Sequence, residues 1–367
     1  MKNFLNKFLM PFIGFAMLAS MAATGIHNAT GWDAGGVFAV MTIAAIAVAA
    51  LGVQREHGVV RMGVEVEIWA NYIIERLWKD NQFLNHVFSD DDKVLAGKIV
   101  HIPQPGSKPE VVKNRASFPA TAIRRTDTDI VYALDEYTTD PTHIQDAEKV
   151  HLSYDKIDSI YGDHAGQLAE DVAGDAIYKW LVDLPTGATN VIRTTGGNTS
   201  EDVLDGATGT RKVMLWNELK TGKKLFDKQN IPANDRFALL TANMSDQLFT
   251  SLSSTQYRDF SQYANAETGV IGRLFGFNIM QRSDVAAFTA ALAVKPVGAD
   301  GDTTDQEASL LWHKNAVTRA LGEVKFFENP DRAEYYGDVY SALLRFGGRR
   351  RRADNLGIAA IVQANGA

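Results

Sequence analysis

The chain has 367 residues, of which 46% are apolar and 22% charged. This length and composition favour one large globular domain, or two to three joined subdomains, over a disordered protein. The absence of cysteine excludes disulfides, thiolate catalysis and cysteine-based zinc sites, and a formal net charge of −7 argues against a nucleic-acid-binding protein.

Residues 1–61 differ in composition from the rest of the chain. Two lysines precede an apolar run over residues 8–23, and a second run without charge covers residues 36–53. The first run has the form of a secretory signal, and the second, about 18 residues long, is close to the minimum that spans a bilayer. We interpret residues 1–61 as a removable leader or an upstream extension, with a membrane anchor as the alternative, and expect the mature fold to begin at Met62.

The next segments predict a helix and then a long extended excursion. Residues 65–78 carry apolar side chains three and four positions apart, the spacing of an amphipathic helix. Residues 97–102 have the composition of a strand, and four of the chain's ten prolines follow within residues 103–122. Prolines exclude a helix there and disfavour pairing in the centre of a sheet. Because the chain returns through a strand predicted over residues 128–137, we expect a two-stranded arm that projects from the body.

Two polar segments could suggest ion binding. The acidic run at residues 89–93 lacks the alternating ligands, the glycine and the late glutamate of a calcium loop, so it predicts a polar turn. Asp140, His143 and Asp146 would share a face only on a helix, and Pro141 favours a turn instead. We interpret these three side chains as exposed or capping rather than as metal ligands or acid–base groups.

Residues 155–182 show the clearest periodicity in the chain. Apolar residues, Trp180 among them, recur with a period of 3.6, two aspartates lie in the first turn, and Pro185 follows the end. At 1.5 Å per residue such a helix is about 42 Å long, against an average of about 11–12 residues for globular helices. We expect a strut against which several elements pack.

The second half of the chain predicts a mixed α/β region. The polar, glycine-rich loop over residues 194–210 lacks the residue order of a phosphate-binding loop. The predicted strands are residues 237–241, 290–295, 309–313, 339–346 and 358–362. The predicted helices are one that includes residues 213–226, a short one with Ser245 as its N-cap, and one over residues 314–321.

Three glycines stand in the segment GVIGRLFGFNIMQRSDV, at Gly269, Gly272 and Gly276. Their spacings of three and four do not match the G-x-G-x-x-G order of a dinucleotide-binding loop. They precede a strand-like run that begins at Phe277. We therefore predict a turn in which glycine permits positive φ and close backbone approach.

Four consecutive arginines occupy residues 349–352, ahead of Asp354 and Asn355. They could bind phosphate, but the turn composition favours a strand end or a salt-bridge patch between subunits, with Arg349 and Arg350 as the candidates. The sequence has no G-x-S-x-G and no H-E-x-x-H motif. We therefore predict no enzyme, and no catalytic, cofactor-binding or metal-binding residues.

The order of these elements resembles the major capsid protein of tailed bacteriophages, the Hong-Kong-97 fold. The resemblance covers Met62 to Ala367 and rests on element order and on segments such as NDRFALLTANMSDQLF and the glycine segment above. The apolar leader departs from the family pattern. The resemblance implies an α+β fold with an N-terminal arm at 62–92, an extended loop at 93–137, a peripheral domain at 138–211 with its spine helix at 155–182, an axial domain at 212–320, and return strands to the peripheral domain at 321–367.

The resemblance also implies a function. The chain would form hexamers and pentamers of an icosahedral head around double-stranded DNA, in the virion after assembly in the host cytoplasm. Its partners would be other copies, a portal, a scaffold or protease, and DNA bound without sequence specificity, with membrane contact undecided. A projecting arm fits this function, because its ordering entropy is not repaid within its own chain. A membrane-anchored envelope protein and an encapsulin-like shell are the alternatives.

Some members of the family cross-link a lysine to an asparagine of a neighbouring chain. Lys108 and Lys113 lie on the predicted arm, but the sequence offers no matching acid and acceptor, so we predict no cross-link. The candidate assembly residues are Lys108, Pro109, Lys113, Trp180, Gly269, Gly272, Gly276, Phe277, Arg349 and Arg350.

Overall fold

A computed structural model describes residues 70–95, 98–104, 106, 110–116, 118, 119, 122, 124–145, 156–185 and 190–366. These residues belong to one unit, Trp69–Ala367. The predicted leader at 1–61 lies outside the described residues, as do Lys108, Pro109 and Asp146. No helix of the described ranges is long and apolar enough to cross a membrane.

The helices are α1 (70–80), α2 (Lys156–Leu181), α3 (Trp216–Lys228), α4 (Ala242–Ser251) and α5 (Ser254–Ser261). The strands are β1 (Phe88–Ser89), β2 (Val94–Leu95), β3 (Ile99–Gln104), β4 (Thr128–Ala133), β5 (Asp135–Thr138), β6 (Thr142–Gln145), β7 (Val191–Arg193), β8 (Asn198–Thr199), β9 (Arg211–Lys212), β10 (Arg236–Leu240), β11 (Gly272–Leu274), β12 (Phe277–Gln281), β13 (Ala286–Phe288), β14 (Gln306–His313), β15 (Val317–Arg332), β16 (Gly337–Arg350) and β17 (Ile358–Val362).

The strands form four sheets. A long antiparallel hairpin of β15 and β16 is extended by β1, parallel to β15, and by β5 and β6 along β16. A seven-stranded sheet has the order β11-β12-β10-β14-β17-β7, with β13 beside β14. The smaller sheets are β2-β3-β4 and β8-β9. The long hairpin and the seven-stranded sheet are thus the two platforms of the fold.

The helix predicted over 155–182 extends over Lys156–Leu181 and packs against β16. Small alanines on its buried face allow close approach to the sheet, while Leu168, Val172, Ile177 and Trp180 fill the space between them. This face joins a core that includes residues of α1, of the long hairpin and of the seven-stranded sheet. Its role as a strut therefore follows from a buried apolar stripe.

The opposite face of the seven-stranded sheet carries a second core. Helix α3 buries Leu219, Gly222 and Phe226 there and leaves its lysines in solvent, which is the amphipathic pattern that the sequence shows. Strand β14 lies between the two cores and is buried at all eight positions. Burial at every position, polar residues included, reflects cover on both faces of the sheet.

Three local predictions are wrong. Thr241 is the N-cap of the short helix α4, and its side chain accepts from the Met244 N–H at 3.3 Å, so Ser245 lies inside the helix rather than at its N-cap. Residues 314–321 were predicted as a helix, but from Val317 onward they belong to β15. Residues 290–295 form a turn with one isolated bridge at Val294, and the strand lies earlier, at Ala286–Phe288.

The predicted strand at 128–137 is two strands in different sheets. β4 pairs with β3, and after Leu134 the chain enters β5, which pairs with β16. Pro103 lies inside β3, opposite Asp129. It is tolerated because β2 pairs with only the first two residues of β3, so no strand among the described residues pairs with the proline on that side.

The division into arm, loop, peripheral and axial regions remains a prediction. The strand pairing does show that two segments assigned to the peripheral region, β7 and β17, belong to the seven-stranded sheet, where β17 pairs with β14 and β7. The sheets are thus built from distant parts of the chain, and their membership crosses the boundaries proposed from the sequence.

Candidate assembly interface

The predicted two-stranded arm exists as the β3–β4 hairpin. Register runs from Ile99 opposite Ala133 to Gln104 opposite Thr128, and we name residues 105–127 between them the arm tip. The two faces differ: Val100 and Ile102 are buried, whereas Ile99 is 42% exposed. This alternation is that of a hairpin with one face on a core and one in solvent.

The root of the arm is fixed to the long hairpin. Tyr132 and Leu134 pack with Ala320 of β15 in a small core of their own. Gly347 of β16 permits this approach, because a Cβ there would lie 2.6 Å from a Leu134 methyl carbon. At the other end of the paired strands, next to the arm tip, the Gln104 side-chain amide donates to the carbonyl of residue 351 at 2.6 Å. The paired strands are therefore held by packing at the root and by a hydrogen bond near the tip.

The arm tip exposes apolar side chains. Val111 is 92% exposed and Phe118 is 79% exposed, and the predicted candidate Lys113 lies in an exposed turn between them. Val112, next to Val111 in the chain, is 45% exposed, and contiguous exposed apolar side chains mark interaction surfaces, whereas single ones do not. The tip has the character of a surface that another molecule covers.

Trp180, near the C-terminal end of α2, is fully buried. Its indole N–H donates to the Thr318 carbonyl at 3.0 Å, and its ring meets Phe83 edge-on at 6.1 Å. Arg350 Nη1 donates to the Trp180 carbonyl at 3.4 Å. A positive charge is favourable there, because the C-terminal end of a helix carries a partial negative charge. Burial lowers the pKa of the Arg350 guanidinium, and nearby Asp183 opposes that shift. Trp180 and Arg350 therefore bind the end of α2 to the long hairpin through two hydrogen bonds.

The other arginines of the run also bind within the chain. Arg349 Nη1 donates to the Val131 carbonyl of the arm at 3.1 Å. The Arg351 guanidinium lies 3.6 Å from the centre of the Phe88 ring. Arg352, in the turn, pairs with Asp354 at 2.5 Å. The run thus connects the arm and β1 to the end of β16.

The three glycines and Phe277 lie elsewhere, at the edge of the seven-stranded sheet. Gly276, with φ +87°, and Phe275, with φ +50°, form the tight turn between β11 and β12. Gly269 caps a short 3-10 helix with φ +67°. Phe277 is fully buried and meets Phe226 at 5.4 Å. The predicted turn into a strand is present, and it serves packing.

Sequence reasoning missed the contacts that hold the N-terminal segment. Arg319 lies 3.8 Å from the centre of the Trp78 ring, a cation–π contact. Asp90 is 1% exposed, pairs with Lys93 at 2.7 Å and accepts from the Thr318 hydroxyl. Asp90 belongs to the acidic run interpreted as a polar turn. No local pattern distinguishes this buried aspartate from its neighbours, because its partner Thr318 is 228 residues away.

Of the polar group Asp140, His143 and Asp146, the structure describes Asp140 and His143. Asp140 follows β5, and His143 lies in β6, where its ring is 5.6 Å from that of Tyr335. Across the described part of the chain, no three histidine or acidic side chains form a group that could hold a metal ion.

Comparison with solved structures decides the fold class. The chain is similar to the capsid of the cyanophage P-SCSP1u, at 18% identity over 76% of this chain and 87% of that one, with a TM-score of 0.53. It is similar to the head structure of Helicobacter pylori bacteriophage KHP40, at 9% identity over 76% and 89%, with a TM-score of 0.53, and to the cyanophage Pam1 capsid, at 10% identity over 77% and 88%, with a TM-score of 0.52.

The chain has a phage capsid fold. The sequence itself matches no protein-family model and no curated relative, so three-dimensional similarity carries this assignment. The phage capsid fold confirms the α+β class and the resemblance inferred from element order. The matched structures give no support to an envelope protein or a cellular shell.

Proposed function

We propose that this chain is a structural subunit of an icosahedral phage head, built from hexamers and pentamers. The observation that carries the proposal is the fold match, which covers about three quarters of this chain and nearly nine tenths of the cyanophage and KHP40 capsid chains. A match over nearly all of those chains means that the shared part is the body of a capsid subunit rather than a single motif.

The arm supports the same function independently. Ordering the arm tip costs backbone entropy of about 1–2 kcal/mol per residue, and the exposed Val111 and Phe118 return none of it within the subunit. Burial against other copies would recover this cost, as repeated contacts do in closed symmetric assemblies. The subunit therefore gains its full stability only in the shell.

The finer parts of the function follow from the head. The subunit would reside in the virion after assembly in the host cytoplasm, with a portal and a scaffold or protease as assembly partners. Packaged DNA would contact the shell without sequence readout, because the net charge of −7 disfavours tight binding of DNA. In this proposal the protein acts by assembling and carries no catalytic activity.

Expression of the full chain, followed by gradient sedimentation and negative-stain microscopy, tests the proposal. We expect icosahedral particles. The variant Val111→Ser with Phe118→Ser should shift protein from particles to free subunits, with the unfolding midpoint of the free subunit unchanged. The variant Val111→Ile with Phe118→Tyr keeps the apolar area and serves as the control. A chain that stays monomeric and fractionates with membranes would refute the head function.

A further inference from the structure

The outer side of helix α3 concentrates positive charge. Four of its thirteen residues are lysines, in a chain whose formal net charge is −7. All four are exposed, and each lies three or four positions from another, so they share one face of the helix that extends over about 12 Å at 1.5 Å per residue. We name this surface the lysine face, and it consists of Lys220, Lys223, Lys224 and Lys228.

The lysine face borders a concave surface with a volume of about 620 Å³, whose one lining carboxylate, Asp227, is already shared. Asp227 Oδ2 lies 2.8 Å from Lys223 Nζ, and its Oδ1 lies 2.8 Å from Arg236 Nη2. These two cations hold the pKa of Asp227 below its usual range. Arg236 is 1% exposed, and a buried guanidinium requires a counter-charge. Asp227 therefore offsets Arg236, and the charges of the four lysines remain.

The second acid of α3 does not reach this surface. Glu218 is 2% exposed, and its carboxylate accepts from the backbone N–H of Thr195 at 2.9 Å and of Leu215 at 2.8 Å. Apart from Lys223, the lysines of this face form no ion pair with any residue that the structure describes. The helix is thus satisfied on its buried side and left positive on its exposed side.

An aromatic side chain on unusual backbone completes the concave surface. Phe275 lines it from the turn between β11 and β12, where its φ is +50°. A non-glycine residue in this region costs about 1–3 kcal/mol, and such residues cluster at functional sites. The Phe275 ring lies 6.0 Å from that of Trp216, over which Lys220 Nζ lies at 5.5 Å. The turn therefore places two rings beside the lysines.

The spacing and type of these charges fit a phosphate backbone. Lysine ammonium groups are point charges without the planar fork of arginine, so they contact phosphates without reading bases. Double-stranded DNA carries one negative charge per about 1.7 Å of its axis, so a surface about 12 Å long faces several phosphates. An extended acidic peptide offers at most one charge per about 3.3 Å. Charge density therefore favours the duplex over a protein segment.

We propose that the lysine face is the surface with which the subunit contacts the phosphate backbone of packaged double-stranded DNA. The inference rests on the proposed head function and deepens it, since it names the residues that contact the DNA and directs the exposed side of α3 towards the interior of the head. The net charge of −7 opposes this contact elsewhere on the chain, so the contact is local, weak and salt-sensitive.

A salt titration of DNA binding tests the proposal. Free subunits are titrated against a fluorescently labelled duplex of about 20 base pairs, and affinity is measured by anisotropy between about 50 and 200 mM salt. Four phosphate contacts predict a slope of log affinity against log salt of about −3.6, which is a loss of about 150-fold over this range. The variant Lys220→Gln, Lys224→Gln, Lys228→Gln should reduce the slope by about 2.7.

The arm tip supplies the matched control, because residues 105–127 contain five basic and two acidic residues. The variant Lys113→Gln, Arg115→Gln, Arg124→Gln removes the same charge from exposed positions there and should leave the slope unchanged. An equal reduction in both variants would show that only net charge matters and would overturn the assignment, as would an unaltered subunit that does not bind the duplex at about 50 mM salt.

Particle yield distinguishes DNA from a protein partner. The lysine variant should form particles in the same yield as the unaltered chain, with the unfolding midpoint of its free subunit unchanged. A lower yield with unaltered DNA affinity would show that the lysine face contacts another copy of the chain, and would overturn the proposal. If the unaltered chain forms no particles, the head function is refuted, whereas the titration still decides whether the lysine face binds a phosphate backbone.

Discussion

Gly272 and Gly276 lie four residues apart in one hairpin, yet the structure requires glycine at each for a different reason. A Cβ at Gly272 would lie 2.4 to 2.6 Å from three carbons of the Phe260 ring. At Gly276 the nearest atom to a Cβ would be 4.0 Å away, but the backbone has φ +87°. The first constraint is steric, and the second is conformational.

The two constraints predict similar costs for alanine substitution. Gly272→Ala must displace the ring of Phe260, which is 3% exposed and packs against Phe249 at 5.5 Å, and overpacking of this kind costs about 1–3 kcal/mol. Gly276→Ala places a side chain in the left-handed region at a cost of about 1–2 kcal/mol. Each is a sizeable part of a stability of about 5–15 kcal/mol.

The substitution Phe260→Leu separates the two reasons. We expect urea unfolding of the free subunit to show that Phe260→Leu offsets part of the Gly272→Ala loss, with a coupling energy of about 0.5–3 kcal/mol. With Gly276→Ala the losses should add within about 0.5 kcal/mol, because Phe260 is not near that Cβ position. Gly276→Asn is the control, since asparagine tolerates this backbone region.

The outcome that refutes this reasoning is equal coupling of both glycines to Phe260. Absence of coupling at Gly272 would show that the ring moves aside without cost. A Gly276→Asn variant no more stable than Gly276→Ala would show that positive φ is not the constraint there.

Three further predictions concern the packed body. Trp180→Ala should lower the free energy of unfolding by about 3–5 kcal/mol in denaturant titration. Trp180→Phe should lower it by about 1–3 kcal/mol, because the Thr318 carbonyl loses its donor. Equal losses for the two variants would show that the indole hydrogen bond is unimportant. Burial raises the pKa of Glu307 in the folded subunit above its value in the unfolded chain. Ionised Glu307 therefore destabilises the fold at pH values above the folded-state pKa. This destabilisation disappears as the pH falls from the folded-state pKa to the unfolded-state pKa. Glu307→Gln should therefore raise the unfolding midpoint at pH 8 and lose this advantage on acidification, and a difference independent of pH would contradict the assignment. Thr241→Ala should cost about 1 kcal/mol of stability through the loss of an N-cap. Ser245→Ala should cost less, because the Ser245 hydroxyl makes one 3.3 Å hydrogen bond to Gln281. A larger loss for Ser245→Ala than for Thr241→Ala would locate the cap at Ser245.

Periodicity predicted those helices and strands whose sequence pattern of apolar side chains matches their burial in the fold. The 3.6-residue repeat of α2 was visible because one stripe of the helix is buried along its length. Strand β17 was visible because all five of its residues are apolar and buried. In both segments local pattern and tertiary burial agree, so the sequence alone was sufficient.

The errors occurred where distant pairing overrides local preference. Residues 317–321 include alanine, arginine and leucine, which favour helix, but Val317 pairs with Arg350 and Thr318 with Phe88 and Arg349. Leu134 separates β4 and β5, which belong to different sheets. No short-range sequence pattern indicates that the pairing strand changes at this residue. Asp140, Asp163 and His164 likewise meet in one cleft only because β5 and β6 pack beside α2.

The amino-acid sequence by itself determined the long helix, the two-stranded arm, the glycine turn and the order of elements that resembles a capsid protein. These features depend on residues close together in the chain, where side-chain period, proline and glycine act directly on the backbone. The tertiary structure decided the sheet membership of β7 and β17, the buried role of Asp90 and the acidic cleft beside α2. Each of these depends on contacts between residues far apart in sequence, which only the folded chain brings together.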